Sequence, residues 1–489
     1  MPPDFRHIVE EARLAARSVV EFAGFLVNPT LRLGVTGLTR SGKTVFLTAL
    51  VHNLLTGGRL PVFEALATGR IASARLEPQP DDAVPRFDYE THLRALRDER
   101  RWPESTSRVS ELRLVIEYQS GTRVRTLTLD IVDYPGEWLL DLPLLTKTYA
   151  QWSAETLVLS REGPRAALAS LWHGHLSTLD AVAPESEPAA LEAAILFTAY
   201  LKACRDERFA MSLLPPGRFL MPGDLAGSPA LTFAPLELPH DGPAPAGSLW
   251  AMMERRYEAY KHHVVRPFFR DHFARLDRQI VLVDALAALN AGPAALRDLE
   301  NALTAILDCF RTGSRSWLGG IFRPRIDRIL FAATKADHLH HTSHDRLERI
   351  LARITERAIA RAEFTGAKID VVALAAVRAT REATVRSGRD QLPSILGFPI
   401  KGERAGEETF DGDTETVVFP GDLPDDPAAL FAGDEEAFRG LASTPVAEAD
   451  YRFLRFRPPA PEPAEEGSGA LPHIRLDRAL QFLIGDRLE

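Results

Sequence analysis

The chain has 489 residues, long enough for two or three domains or for one large domain carrying insertions. Its 45% hydrophobic and 26% charged content is that of a folded globular protein, and 58 basic against 67 acidic residues, a net charge of −9 without a long basic run, speak against a nucleic-acid groove. Two cysteines, Cys204 and Cys309, without paired spacing exclude a disulfide framework or an ordinary zinc site. No apolar window of about 18 residues is free of charge. Asp4, Glu10, Glu11 and Glu21 interrupt the N-terminus, so neither a transmembrane helix nor a cleaved leader is expected, and the expected location is cytoplasmic.

Residues 4–27 place Ile8, Leu14, Ala15, Val19, Phe22 and Leu26 near one helical face, which predicts an amphipathic helix packed across the core. Peripheral contact with a membrane or a partner helix is the alternative, disfavoured by mixed rather than basic charge on the other face. Residues 31–36 read as a strand and 45–55 as a helix. Between them stands Gly37-Leu38-Thr39-Arg40-Ser41-Gly42-Lys43-Thr44. A glycine-rich loop between strand and helix is the setting that a phosphate-binding P-loop requires. Its backbone N–H groups and the positive end of the helix would surround a β-phosphate. Lys43 would reach the β- and γ-phosphate oxygens, the Thr44 hydroxyl would ligate Mg²⁺, and a side chain at Gly42 would keep the backbone off the phosphate.

A polar, proline-containing connection at 57–108 is expected to be an inserted loop with short helices, such as 88–100. Residues 111–118 and 123–132 then form a hairpin ending in Asp133-Tyr134-Pro135-Gly136-Glu137-Trp138. At the carboxyl end of a strand, Asp133 could hold Mg²⁺ through a water, and the N–H of Gly136 could reach a γ-phosphate. From 144 to about 278 the pattern is mainly helical, notably 188–207 and 250–275. A buried strand at 279–284, a turn at Asn290-Ala291-Gly292-Pro293 and a helix at 294–311 follow. The next strand, 325–333, leads into Thr334-Lys335-Ala336-Asp337. The Asp337 carboxylate can accept from N1–H and the exocyclic amine of guanine while the Lys335 stem packs over the ring; adenine offers no such pair of donors. A helix at 344–363 and a strand at 369–374 complete an alternation that argues for a mostly parallel, three-layer α/β sheet. The tail, rich in acidic residues, Pro and Gly, offers an edge strand at 451–456 and a closing helix at 476–488. His338, His340 and His341 cluster without a carboxylate at ligand spacing.

The order of these motifs resembles that of Ras-like GTPases of the P-loop class. Residues 35–44, 133–138, 215–223, 279–292, 334–338 and 471–488 resemble the YcjX-like family of bacterial P-loop nucleotide-binding stress proteins, and the resemblance spans nearly the whole chain. It implies an α/β P-loop NTPase fold with a Ras-like, mostly parallel sheet, a large helical insertion and a C-terminal extension. The implied parts are an N-terminal helix (1–28), the first part of the GTPase-like core with P-loop and switch regions (29–143), the insertion (144–278), the second part of the core with the guanine motif (279–380) and the extension (381–489). GTP or GDP and Mg²⁺ are the implied ligands.

Carried over residue by residue, Gly37, Thr39, Arg40, Ser41, Gly42, Lys43, Thr44 and Val45 fall on the phosphate loop. Asp133 and Gly136 fall on the second switch, Lys335 and Asp337 on the guanine motif, and Ala375-Ala376 on the segment whose backbone contacts the base oxygen. Catalytic roles fall to Lys43, Gly136 and Glu137. The implied metal ligands are Thr44, Asp133 and Thr106, for which a Ser/Thr turn entering the next strand is the alternative. Three positions depart from the pattern. Thr334 replaces the commonest Asn, its hydroxyl being expected to tie that loop to the P-loop; Glu137 replaces a water-orienting Gln; and Thr39 replaces a frequent Gly. Arg40, Arg101 and Arg108 are candidate cis counterparts of an arginine finger, with a solvated role as the alternative for each. The expected function is a Mg²⁺-dependent GTP/GDP switch with slow hydrolysis, engaging a protein effector through the insertion or the switch regions and no nucleic acid. An ATPase or small-molecule kinase using the same loop, and a nucleotide-stabilised interaction module with little turnover, are the alternative readings.

Overall fold

A computed structural model describes residues 29–38, 40–104, 108–239, 242–311, 326–363, 366–387, 390–405, 407–431, 453–460 and 469–489. The expected helix at 1–28 and the candidates Thr39 and Thr106 lie outside the described residues.

The centre is a seven-stranded sheet ordered β2-β3-β4-β1-β5-β6-β7. Its strands are β1 (Thr30–Gly37), β2 (Ile71–Glu77), β3 (Ser110–Ser120), β4 (Arg123–Asp133), β5 (Arg278–Val283), β6 (Arg328–Ala333) and β7 (Lys368–Ala373). From β4 to β7 the neighbours run parallel, while the β3–β4 hairpin and the edge strand β2 are antiparallel. The mostly parallel α/β reading therefore holds. β2 corrects the expectation of an inserted loop at 57–108. Its sequence, IASARLE, has four half-buried and three exposed residues and none buried at the sheet's edge, so it shows little apolar alternation.

Parallel strands buried on both faces read as continuous apolar runs, and β5 and β6 do so. Ile280, Leu282, Leu330 and Ala332 face one layer, made by α1 (Lys43–Thr56) and the C-terminal helix at Leu476–Ile484. Val281, Val283, Ile329 and Phe331 face the other. That second layer contains α2 (Tyr149–Ser160), α3 (Glu187–Arg205) and α4 (Leu249–Tyr260), then α5 (Ala285–Ala291), α6 (Pro293–Arg311) and α7 (His344–Glu363).

The helices of 144–278 have an aromatic core. Trp152 stacks on Tyr257 with centroids 5.1 Å apart, and Trp172 packs on Phe197 and Tyr200. This core is continuous with the sheet's second face. A buried ion pair fastens the two together: Arg165 donates to Asp298 of α6 at 2.6 Å, whose other oxygen accepts the N–H groups of Ser212 and Leu213. That second bond set satisfies the carboxylate's remaining lone pairs, without which a buried pair would be costly.

The tail differs more from expectation. β8 (Arg381–Ser387) and β9 (Asp390–Gly397) form a hairpin extended by β10 (Thr416–Val418); of the edge strand expected at 451–456, residues 451 and 452 lie outside the described residues, and among 453–456 Phe456 makes an isolated bridge to Pro399. The C-terminal helix, α8 (Leu476–Ile484), is held by Arg278, a fully buried guanidinium paired with Asp486 and Asp327.

Register decides where the loops meet. Val35 pairs with Asp133, Gly37 with Leu282, Val283 with Ala333, and Ala333 with Ala373. Because these strands are parallel, the segments following β1, β4, β5, β6 and β7 all emerge at one edge.

Candidate functional site

That edge opens into a cavity of about 1480 Å³, lined by the loop after β1, Glu137 after β4, Asp284 and α5, residues 334–338 and residues 374–377. Parts of the helical insertion, 205–221, and of the tail, 400–404 and 453–456, complete its wall. Asn290 to Pro293 also line it, the first two ending α5 and Pro293 opening α6.

The loop after β1 turns tightly into α1. Gly42 is left-handed at φ 77° and caps α1, and the Ser41 N–H donates to the Leu38 carbonyl at 3.1 Å. α1 has 14 residues and no acidic side chain in its first turn, so its positive end is uncompensated. Lys43 is buried, with Nζ 2.9 Å from Asp133 Oδ1 and donating to the Tyr134 carbonyl at 2.9 Å. Thr36 Oγ1, Ser41 Oγ and Asp133 Oδ2 are buried around it without a hydrogen-bond partner. Three such atoms within one loop and the strand end beside it are costly in a dry interior and suit a site that takes an anion and a hydrated cation. The Thr44 hydroxyl donates to the Glu104 carbonyl at 3.4 Å, so α1 begins against the segment that leads to residue 106. This donor set, a hydroxyl and a carboxylate, is one that Mg²⁺ takes.

The segment after β4 approaches closely. A Cβ built at Gly136 would lie 2.3 Å from the Gly37 carbonyl oxygen, so the backbone of the second motif rests directly on the phosphate loop. Residues Gly136–Thr146 form a 3₁₀ helix packed on the insertion. Asp141, fully buried, accepts from the Gly217 N–H and the Tyr260 hydroxyl, each at 2.6 Å, and burial pushes its carboxyl from 3.8 up to about 6. Trp138 Nε1 donates to the Met221 carbonyl, and the Arg218 guanidinium lies 3.2 Å above the Trp138 ring. A Cβ at Gly217 would meet the Glu137 carbonyl at 2.0 Å. Nothing in the local sequence pattern around Asp141 signals this burial.

On the opposite wall, Lys335 is left-handed at φ 63° and pairs with Asp284, which also caps α5 through the Ala287 N–H. Asp337 Oδ2 accepts from the Ala379 N–H at 2.9 Å, and Thr380 donates to the Asp337 carbonyl at 2.5 Å. The first bond fixes the carboxylate's orientation and the second its main chain, while the carboxylate retains acceptor sites. His338 is buried behind it, and burial lowers its imidazole pKa toward the neutral form. Two expectations change here. The Thr334 hydroxyl donates to the Val283 carbonyl at the end of β5, 3.4 Å away, and so holds the loop to the sheet instead of the P-loop. The Ala375 N–H is taken by the Ile474 carbonyl at 3.0 Å, so of the pair only Ala376 keeps an amide for a base oxygen. Val45, Ala375 and Ala376 line the same cavity.

Of the candidate arginines, Arg40 stands on the cavity rim; Arg101 pairs with Glu99 and, like Arg108, lies outside the lining. The carboxylate missing from the histidine cluster comes from β8: Glu382 reaches His341 Nδ1 at 2.8 Å, on an exposed surface. No helix among the described residues is long and apolar enough to cross a membrane.

Residues 31–488 match the model of the YcjX-like family, DUF463. The chain is 37% identical over 487 residues to a protein of Escherichia coli (strain K12) named "Ras-like GTPase YcjX", covering 94% of this chain and 97% of that one. It is 33% identical over 489 residues to a protein of the same name from Shewanella oneidensis, covering 94% and 95%.

Proposed function

The chain belongs to the YcjX-like family, and from that premise we propose that it is a Mg²⁺-dependent guanine-nucleotide-binding protein that hydrolyses GTP slowly and changes conformation between its GTP and GDP states. The observation that carries this reading is the convergence of Lys43, Lys335 and Asp337 on one cavity, with Asp133 2.9 Å from Lys43, the four drawn from three strand ends.

Lys43 would exchange Asp133 and the Tyr134 carbonyl for phosphate oxygens, so the bonds it makes in this structure hold it extended across the cradle beforehand. The N–H groups of 40–44 would surround the β-phosphate, and that of Gly136 would meet the γ-phosphate. The Thr44 hydroxyl and, through water, the Asp133 carboxylate would hold Mg²⁺, which supplies charge neutralisation at the β- and γ-oxygens. Asp337 would accept the two donors of the guanine edge, its orientation preset by Ala379. Slow turnover is supported by Glu137, whose carboxylate adds negative charge where a neutral amide would orient water. A protein effector reached through the insertion or the switch regions, a cytoplasmic location and a role in stress belong to the same proposal.

The test is calorimetric titration with GDP, GTP and ATP in Mg²⁺, on wild type and Asp337→Asn, adding xanthosine nucleotides for the variant. Guanine preference that moves to xanthine in the variant is the expected result. ATP binding as tight as GTP, indifferent to the substitution, would refute the guanine assignment.

A further inference from the structure

Four charged side chains cross the mouth of the cavity from three distant parts of the chain. Arg40, in the phosphate loop, is left-handed at φ 62° and projects its guanidinium to Glu207 Oε1, 2.5 Å away on the insertion, two residues past the end of α3. The same oxygen meets Arg455 of the tail at 3.2 Å. Arg455 in turn is held by Glu403, with guanidinium contacts of 2.6 and 2.7 Å and its backbone N–H donating to the other carboxylate oxygen at 3.0 Å. All four residues line the cavity.

We propose that Arg40, Glu207, Arg455 and Glu403 form an electrostatic clasp over the phosphate compartment, and that its opening limits how fast a bound nucleoside phosphate leaves. This rests on the nucleotide-binding reading above and adds to it the residues that set residence time. None of the four belongs to the phosphate, metal or base contacts except Arg40, and Arg40 contributes to the cradle through its backbone.

Three features favour a gate over a structural brace. Glu207 and both arginines are about half exposed, at 53%, 51% and 55%, and ion pairs of that kind contribute little to folding. They are therefore cheap to break, as a gate must be. The contact joins surface segments: Glu207 sits in the connection after α3, Arg455 follows Phe453 in the tail, and neither lies in a strand or helix. Finally, one carboxylate oxygen serves two arginines, so loss of Glu207 removes in a single step the ion pairs that tie the insertion to the phosphate loop and to the tail at the cavity mouth. Burial and the nearby Arg455 and Arg205 guanidiniums lower the pKa of Arg40, and Asp206 and Asp284 act against them.

The experiment preloads the full chain with Mg²⁺ and fluorescently labelled GDP and follows release against excess unlabelled GDP in wild type, Glu207→Gln, Arg455→Met and the double variant. Because exposed pairs contribute at most about 1 kcal/mol each, about threefold to tenfold faster release is expected in Glu207→Gln at low ionic strength. Arg455→Met should be faster than wild type, and the double variant no faster than Glu207→Gln. At about 1 M salt, where screening reaches about 3 Å, the difference from wild type should close. An unchanged release rate in Glu207→Gln, or an acceleration that salt does not erase, would overturn the clasp. If labelled ATP binds wild type better than labelled GDP, the guanine reading falls and the same ratio, measured with ATP, still judges the clasp. Failure of wild type to bind either nucleotide would overturn both.

Discussion

Replacing Gly136 by Ala tests whether the contact between the second motif and the phosphate loop positions the γ-phosphate. The added Cβ would stand 2.3 Å from the Gly37 oxygen, 2.5 Å from the Gly37 carbonyl carbon and 2.9 Å from the Leu38 nitrogen. All three are backbone atoms of the cradle, so no side chain can swing aside. Ordinary contact between carbon and these atoms needs about 3.5 Å, and the two segments must part by about 1 Å. Such overpacking typically costs about 1–3 kcal/mol, and a misplacement of about 1 Å at a reacting centre lowers the rate about 100-fold. In a chain this long that stability loss lowers the melting temperature by only about 1–3 °C, so the variant should fold. GTP turnover should fall about 100-fold. GDP affinity, which needs no γ-phosphate contact, should change less than about threefold, roughly 0.7 kcal/mol. The assays are phosphate release under saturating Mg·GTP and calorimetry with GDP. Turnover equal to wild type in a folded variant would refute the role given to Gly136.

Two further perturbations separate binding from folding. Lys43→Met should abolish binding of every nucleotide and also destabilise the nucleotide-free chain by about 3–5 kcal/mol, because Asp133, 1% exposed, loses the cation 2.9 Å from it. Adding Asp133→Asn should restore most of that stability without restoring binding, read by denaturant unfolding and calorimetry; equal stability of the single variant and wild type would show that the pair is not buried. Asp141 carries the pH dependence. Burial raises its folded-state pKa from 3.8 to about 6, so between these values the folded chain holds a proton that the unfolded chain has lost, and its contribution to stability falls as pH rises. Asp141→Asn keeps an acceptor for the Gly217 N–H and removes that fall. The difference in unfolding free energy between variant and wild type should move in the variant's favour by up to about 3 kcal/mol from about pH 4 to about pH 7, and movement the other way would contradict the assignment.

What was legible in the sequence followed the strength of local signals. Helix α7 was read at its observed bounds, 344–363, because its apolar positions keep a helical period throughout, and the P-loop was read from glycine spacing between strand and helix. β2 was missed because an edge strand without a buried face need not alternate. The β8–β9 hairpin was missed because only Ile395 and Ser394 among its described side chains are deeply buried, leaving a polar pattern that reads as loop. Partners of site residues were harder still. Ile474 blocks the Ala375 amide from 99 positions away in sequence, and Glu382 joins His341 from 41 away, pairings that only the fold creates.

Under the proposed function, the same non-local packing sets what a nucleotide switch in this chain would have to move. A second switch that is a free loop can be ordered or released at little cost beyond its own residues. Here residues 136–146 are bonded to the insertion through Asp141, Trp138 and the Gly217 contact, and Asp141 is fully buried. Releasing that segment into solvent would strand the Gly217 N–H and the Tyr260 hydroxyl, each lost buried partner costing about 1–3 kcal/mol. Moving it together with the insertion keeps those bonds, because the interlocked aromatic core from Trp152 to Tyr260 resists internal deformation. If the γ-phosphate draws Gly136, the response that keeps those bonds moves the insertion with it, and that movement works against the Arg165–Asp298 pair that fastens the insertion to α6.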